Sequence, residues 1–203
     1  MTKRNDWDFS PPPESALGDH DVERKSNALD GRRIALLLSG GIACIKIPLL
    51  ARELRRHGAE VVAMVSEEAL RYVTVDALSW CTDRPVICAL SAQAEHLSGR
   101  SPFDAYLVAP ATYNTINKLR YGIADGVLTS VLVTAFGRLE RGQSKLLLAP
   151  TMHGSMHNSI LTESLHWLAE HGVRVIPPKQ SHGKNNLPEI DVLTDEVCRA
   201  FGG

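Results

Sequence analysis

Ile34-Ala35-Leu36-Leu37-Leu38-Ser39-Gly40-Gly41-Ile42-Ala43 is an unbroken aliphatic run closed by a serine and two glycines. A run of this length with no polar alternation fits a strand buried on both faces, which is the habit of parallel sheets covered by helices. Beyond it Ile45, Leu49, Leu50 and Leu54 recur at helical spacing up to Arg56-His57-Gly58, where glycine closes the helix. Strand, tight turn and helix follow one another within about 25 residues, and the same alternation continues along the chain.

Val61–Val65 reads as the next strand, followed by a short helical stretch over Glu67–Tyr72, and Val86–Leu90 as a third, short strand. Ala105–Ala109 and Lys145–Ala149 are two further buried strands, each running into a proline, Pro110 and Pro150. Ile116–Phe136 between them is largely helical. A helix over Ile160–His171 ends at Gly172, Val173–Ile176 is a strand, and Asp191–Phe201 is the last helix. Strands alternating with helices require right-handed parallel crossovers, so the expected fold is a doubly wound α/β sandwich. Met1 to about Gly31 is polar, broken by Pro11-Pro12-Pro13, and reads as a disordered tail ahead of one domain over residues 32–203.

The composition narrows the function. Lys and Arg number 22 against 23 Asp and Glu in 203 residues, so no overall field draws the chain to nucleic acid or to an anionic membrane. Cys44, Cys81, Cys88 and Cys198 form no C-x-x-C pair and sit in apolar runs; they read as reduced thiols of a cytoplasmic protein, with no metal site. No apolar run approaches the roughly 20 residues that cross a bilayer.

In doubly wound sheets ligands lie beyond the carboxyl ends of the strands, so the residues just after each run carry the chemistry. Ser39-Gly40-Gly41-Ile42-Ala43 offers backbone amides at a helix start, the geometry of a phosphate cradle; a tight turn that binds nothing has the same pattern. It is not G-x-G-x-x-G, and the second strand ends in Ser66 rather than an acid that would grip a ribose hydroxyl. That disfavours a nicotinamide dinucleotide and leaves a mononucleotide open. Thr112, Asn114 and Thr115 place small hydrogen-bonding groups after the Ala105–Ala109 strand, with Thr112 or Asn114 fit to cap a helix. After Pro150 come Thr151, Met152, His153, Met156 and His157, two thioethers and two imidazoles at one sheet edge.

These segments, with Gly122-Ile123-Ala124-Asp125 and Leu128-Thr129, closely resemble the flavin-containing cysteine decarboxylase family over about Arg33–Pro178. The resemblance implies a flavodoxin-like three-layer protomer that binds FMN, assembles as a trimer or dodecamer, and holds the flavin between subunits. It implies cofactor contacts from Ser39, Gly40, Gly41, Ile42, Ala43, Ser66, Thr112, Tyr113, Asn114, Thr115, Thr151 and Met152, with Tyr113 large where the family has alanine. His96, eight positions before Asp104, matches the family's catalytic histidine, although Gly99 and Pro102 interrupt the regular helix of the family there. The implied chemistry is oxidative decarboxylation of a small-molecule or peptide thiol carboxylate.

Two departures accompany the resemblance. The family's Pro-x-Met-Asn reads Pro150-Thr151-Met152-His153, which makes His153 the candidate for holding the substrate carboxylate and the second candidate catalytic residue. The Ala-Cys-Gly flap after Ile176-Pro177-Pro178 is replaced by Lys179-Gln180-Ser181-His182-Gly183-Lys184, with no cysteine between Cys88 and Cys198. Lys179 and Lys184 on this flexible cationic flap, together with His153 and Met156, are the expected substrate contacts. The rival readings are a non-catalytic FMN-binding regulatory subunit and another FMN enzyme on the same scaffold, such as a flavin prenyltransferase.

Overall fold

The computed structural model describes residues 9–97 and 101–202. Its centre is a five-stranded parallel sheet of β1 (Arg33–Leu38), β2 (Glu60–Val65), β3 (Ala105–Ala111), β4 (Lys145–Pro150) and β6 (Arg174–Val175), in the order β2-β1-β3-β4-β6. The expected doubly wound, flavodoxin-like sheet is what the chain forms: it winds one way from β1 to β2 and the other from β1 to β3, so the switch point lies between β1 and β3. Alternate residues of each strand feed opposite faces. Ile34, Leu36 and Leu38 pack with α1 (Ile47–Arg56), α2 (Val75–Thr82) and α6 (Ile190–Arg199), whereas Ala35 and Leu37 pack with α3 (Tyr113–Arg120), α4 (Val127–Glu140) and α5 (Ser159–Glu170). Two apolar cores therefore sandwich one sheet.

Three expectations change. The first helix starts as a 3-10 turn over Ile42–Lys46, which rotates the buried stripe; Ile47, Leu50, Ala51 and Leu54 face the sheet while Ile45 and Leu49 are about 60% exposed. Val86–Leu90 makes no full strand: only Ile87 bridges to Met64 at the edge of β2, its amide donating to the Ala63 carbonyl at 3.0 Å. Ile116–Phe136 is largely helical as expected, divided into α3 and α4 where Gly122 turns the chain with φ of +65°. The stretch expected to be an untethered tail up to Gly31 is anchored over its last third. Leu29 is fully buried, Lys25 Nζ lies 2.5 Å from Glu53 Oε1 on α1, and Ser26 Oγ lies 2.8 Å from His57 Nδ1. Leu29 docks it through its apolar side chain, together with backbone hydrogen bonds from Lys25, Ser26 and Leu29 to the end of α1.

The segment after Pro178 departs furthest from expectation. It is a hairpin of β7 (Lys179–Ser181) and β8 (Lys184–Asn186) that adds β5 (Met152–His153) as a third antiparallel strand. His182 and Gly183 both have positive φ, as a two-residue turn of the right-twisting type demands. The flap is a built sheet.

Candidate functional site

An open cleft of about 960 Å³ lies at the switch point, beyond the carboxyl ends of β1, β2, β3 and β4. Its floor is made of chain turns that end strands and begin helices. Gly40, Gly41, Ile42 and Ala43 line it after β1, and the first amides of that turn have no partner within their own helix. Gly40 is fixed by packing: a β-carbon there would overlap the Glu68 Cβ of the neighbouring turn. Ser66 lines the cleft after β2 and accepts the Ala69 amide at 3.3 Å, opening a 3-10 turn over Glu67–Arg71.

Thr112 caps α3. Its Oγ1 accepts the Thr115 amide at 3.4 Å and lies 3.1 Å from Thr115 Oγ1, so the two hydroxyls share a hydrogen bond in the wall of the cleft. Asn114 is exposed to the cleft, and the Tyr113 hydroxyl donates to Asn158 Oδ1 at 3.4 Å. Thr151, buried Met152, His153 and Met156 line the opposite wall after β4, with Lys184 from β8 beside them. The sequence therefore assembles in one place nearly all the residues expected to hold a cofactor or substrate.

Three expected site residues stand elsewhere. Ser39 is turned inward: its Oγ donates to the Pro110 carbonyl at 2.6 Å and accepts the Thr112 amide at 3.0 Å, so it clips β1 to the start of α3 beneath the cleft. Lys179 points away and lies 2.5 Å from Glu189 Oε1, which holds that carboxyl below its ordinary range with help from Lys46. His96 lies in a half-buried loop outside the cleft of its own chain, its Nδ1 enclosed and without a hydrogen-bond partner among the described residues. Ser98, Gly99 and Arg100 of that segment fall outside the described residues.

The cleft also holds a network that strand-end reading passed over. Lys118 Nζ lies 2.7 Å from Asp125 Oδ2, and this hydrogen bond, together with one from Thr129, lowers the Asp125 carboxyl below its ordinary range. Thr129 Oγ1 accepts the Gly126 amide at 2.9 Å and starts α4. The signal was the Asp125-Gly126 step ahead of a helical run, a cap pattern inside a stretch read as largely helical. Cys88, its thiol pushed up by burial, and Asn185 and Asn186 of β8 complete the wall.

A flavodoxin-like sheet with an open cleft at the switch point defines a class of α/β ligand-binding domains. Within that class the chain belongs to the Flavoprotein family, whose model matches residues 22–202. It is 37% identical over 180 residues to the "Coenzyme A biosynthesis bifunctional protein CoaBC" of Thermococcus kodakarensis; the match covers 86% of this chain and 43% of that protein. The chain thus spans under half the length of that relative. A "Probable phosphopantothenoylcysteine decarboxylase" of Streptococcus mutans is 25% identical, covering 82% of this chain and 97% of that protein. Among solved structures, the FMN-dependent cysteine decarboxylase SpaF superposes with a TM-score of 0.73 at 20% identity, covering 86% of this chain and 99% of that one. A PPC decarboxylase mutant complexed with pantothenoylaminoethenethiol gives 0.72 at 23%, covering 85% and 99%. At those identities the structures establish the shared fold.

Proposed function

We propose that the cleft binds FMN and that the protein catalyses oxidative decarboxylation of a cysteine-derived or peptidyl-cysteine carboxylate. The observation that carries this reading is the donor set: the helix-starting backbone at Gly41–Ala43, Thr112, Thr115 and Asn114 line one cleft whose other wall is apolar at Leu128 and Met152. The amides suit a phosphate at a helix start, the hydroxyls and amide suit a ribityl chain and ring edge, and the apolar wall suits the ring face. The relatives' names agree with it.

The chemistry FMN supplies when bound is acceptance of two electrons. Oxidising the thiol-bearing carbon removes a hydride and the thiol proton and leaves C=S. The bond to the carboxylate then breaks, CO2 departs, and the released pair forms C=C while the C=S electrons move to sulfur, giving an enethiolate. His153 is the group placed to hold the departing carboxylate. Its Nδ1 accepts the Ser155 amide at 3.2 Å, so the proton sits on Nε2, the edge left to donate. His96 is assigned the proton-handling role in the cleft of a neighbouring protomer, because it stands outside its own; a trimer or a multiple of it, in the cytoplasm, follows as part of this reading.

Anaerobic addition of a cysteine-terminated substrate tests it: bleaching of the flavin bands with release of CO2 is expected. A second reading, an FMN protein that does not decarboxylate, is favoured by His153 standing where the resembled family has asparagine and by the missing flap cysteine. It predicts FMN retention without bleaching and no change on His96→Asn.

A further inference from the structure

Two sides of the cleft are held by different means. On the β4 side the hairpin pairs with β5, and Gly154 packs against the Gly183 carbonyl. On the helical side the lining passes from Lys118 of α3 to Asp125 and Gly126, which belong to the connection of residues 121–126 between α3 and α4. Every residue of that connection is exposed. Tyr121 and Ile123 keep 65% and 44% of their surface in water, and a β-carbon on Gly122 would meet nothing within 4 Å. Packing therefore does little to hold it.

Its backbone is tied near the two helices. The Gly122 and Ile123 amides donate to the Leu119 and Lys118 carbonyls at 3.1 and 2.9 Å, and the Gly126 amide donates to Thr129 Oγ1 at 2.9 Å. The Asp125 side chain is the tie that reaches both helices at once. Its Oδ2 lies 2.7 Å from Lys118 Nζ on the last turn of α3, and its Oδ1 accepts from Thr129 Oγ1 of α4 at 3.2 Å. The Asp125 side chain is 53% exposed, so the ion pair is of the weak, solvent-facing kind that makes and breaks readily.

We propose that Asp125, acting through Lys118, is a positioning residue of the ligand site: their ion pair latches residues 121–126 as a lip of the cleft and sets how fast a ligand enters and leaves. This rests on the cleft being the ligand site and adds the residues that govern access to it. With the pair made, Asp125 and Gly126 continue the wall that Thr115 and Lys118 begin. With it broken, the connection keeps only its backbone ties and swings outward at Gly122, where nothing stands in its way. Helix α4 stays in place, because Leu128 and Thr129 are buried. The paired hairpin lacks this freedom, so exchange of ligand with solvent runs past the lip.

The test follows FMN binding to the full-length chain by stopped-flow fluorescence. Asp125→Asn removes the charge and keeps the shape. It is expected to raise the association and dissociation rates together by about two- to five-fold, leaving the dissociation constant within about two-fold. Lys118→Arg, which can still pair with the carboxylate, is expected to keep both rates near those of the wild type. A rise in dissociation alone would make the pair a direct ligand contact and overturn the latch, as would unchanged rates. Hydrogen exchange of the Ile123 and Gly126 amides in the ligand-free chain keeps this apart from the flavin reading: it should quicken in Asp125→Asn and hold in Lys118→Arg. A wild type that takes up no FMN yet shows that pattern supports the latch and sinks the flavin assignment. Equal exchange in all three proteins sinks the latch whatever the chain binds.

Discussion

Gly154 and Gly183 meet so closely that the Gly154 amide donates to the Gly183 carbonyl at 3.0 Å and a β-carbon on Gly154 would overlap that carbonyl. This contact positions the hairpin over the cleft, and with it the Lys184 side chain. Gly154→Ala must push the turn away. A loss of about 1–3 kcal/mol is expected, roughly 2–12 °C in melting temperature for a domain of this size. Anion binding at His153 should weaken in parallel although no charged group is altered. A variant with wild-type melting and wild-type anion affinity would show that the turn moves freely.

Ser39 joins two strand ends from below the cleft. Replacing it with alanine leaves the Pro110 carbonyl and the Thr112 amide without their partner in a buried setting, at a cost of about 1–3 kcal/mol. Because the Thr112 amide leads into α3, the hydroxyl pair of Thr112 and Thr115 should lose its fixed position as well. FMN dissociation followed by fluorescence is expected to quicken in Ser39→Ala, and Ser39→Thr to recover part of the loss. Equal dissociation rates in all three proteins would place Ser39 outside the cofactor site.

What the sequence revealed, it revealed through hydrophobic pattern and strand ends. Ile34–Leu38, Val61–Val65, Ala105–Ala109 and Lys145–Ala149 could be read as buried parallel strands because both faces are covered, and burial on both faces leaves an unbroken aliphatic run. The glycine turn and Thr112–Thr115 were legible for the same reason, since they follow those runs directly. The hairpin was not: Lys179–Asn186 is polar throughout, and its pairing with Met152–His153 is a long-range contact that no local periodicity encodes. Helix α2 escaped because Leu78 and Cys81, with small Ala77, are all that its apolar face sets on the core, although Thr74, whose Oγ1 accepts the Ala77 amide at 3.1 Å, was its cap signal. Lys118 lies on the last turn of α3 and Asp125, seven residues on, in the connection to α4, so only the folded chain pairs them.

The replaced flap has a consequence for the product. No cysteine follows Cys88 until Cys198, and Cys198 is buried on α6 outside the cleft. Cys88, the one thiol in the cleft wall, is held protonated by burial and stands on the β2 side, away from the hairpin. If the cleft decarboxylates a cysteine-derived substrate, the product should be the enethiol, two mass units below the reduced thiol, and the flavin should stay reduced until an external acceptor is supplied. Mass spectrometry of an anaerobic single turnover decides this. A fully reduced thiol product that persists in Cys88→Ser would require a proton donor other than a cysteine.

Arg174 and Glu196 tie the edge strand β6 to α6, with Arg174 Nε 2.7 Å from Glu196 Oε2 and Nη2 3.1 Å from Oε1. The Arg174 guanidinium holds the Glu196 carboxyl below its ordinary range and outweighs the opposing effect of burial, with Arg199 adding to it. A carboxyl whose folded value is depressed contributes stability that is fully present above the ordinary glutamate range and is lost as pH falls through that range towards the folded value. Glu53 on α1 behaves alike: burial pushes its carboxyl up, but hydrogen bonds from Lys25 and Arg56 prevail and hold it low, so it loses stability over the same interval. Wild-type stability measured by denaturant melts should therefore fall between about pH 5 and 3. Glu196→Gln should cost roughly 1–3 kcal/mol at neutral pH, because the Arg174 fork loses its charged partner, and the variant should show a shallower acid slope. Parallel slopes in the two proteins would mean that this pair does not report on folding.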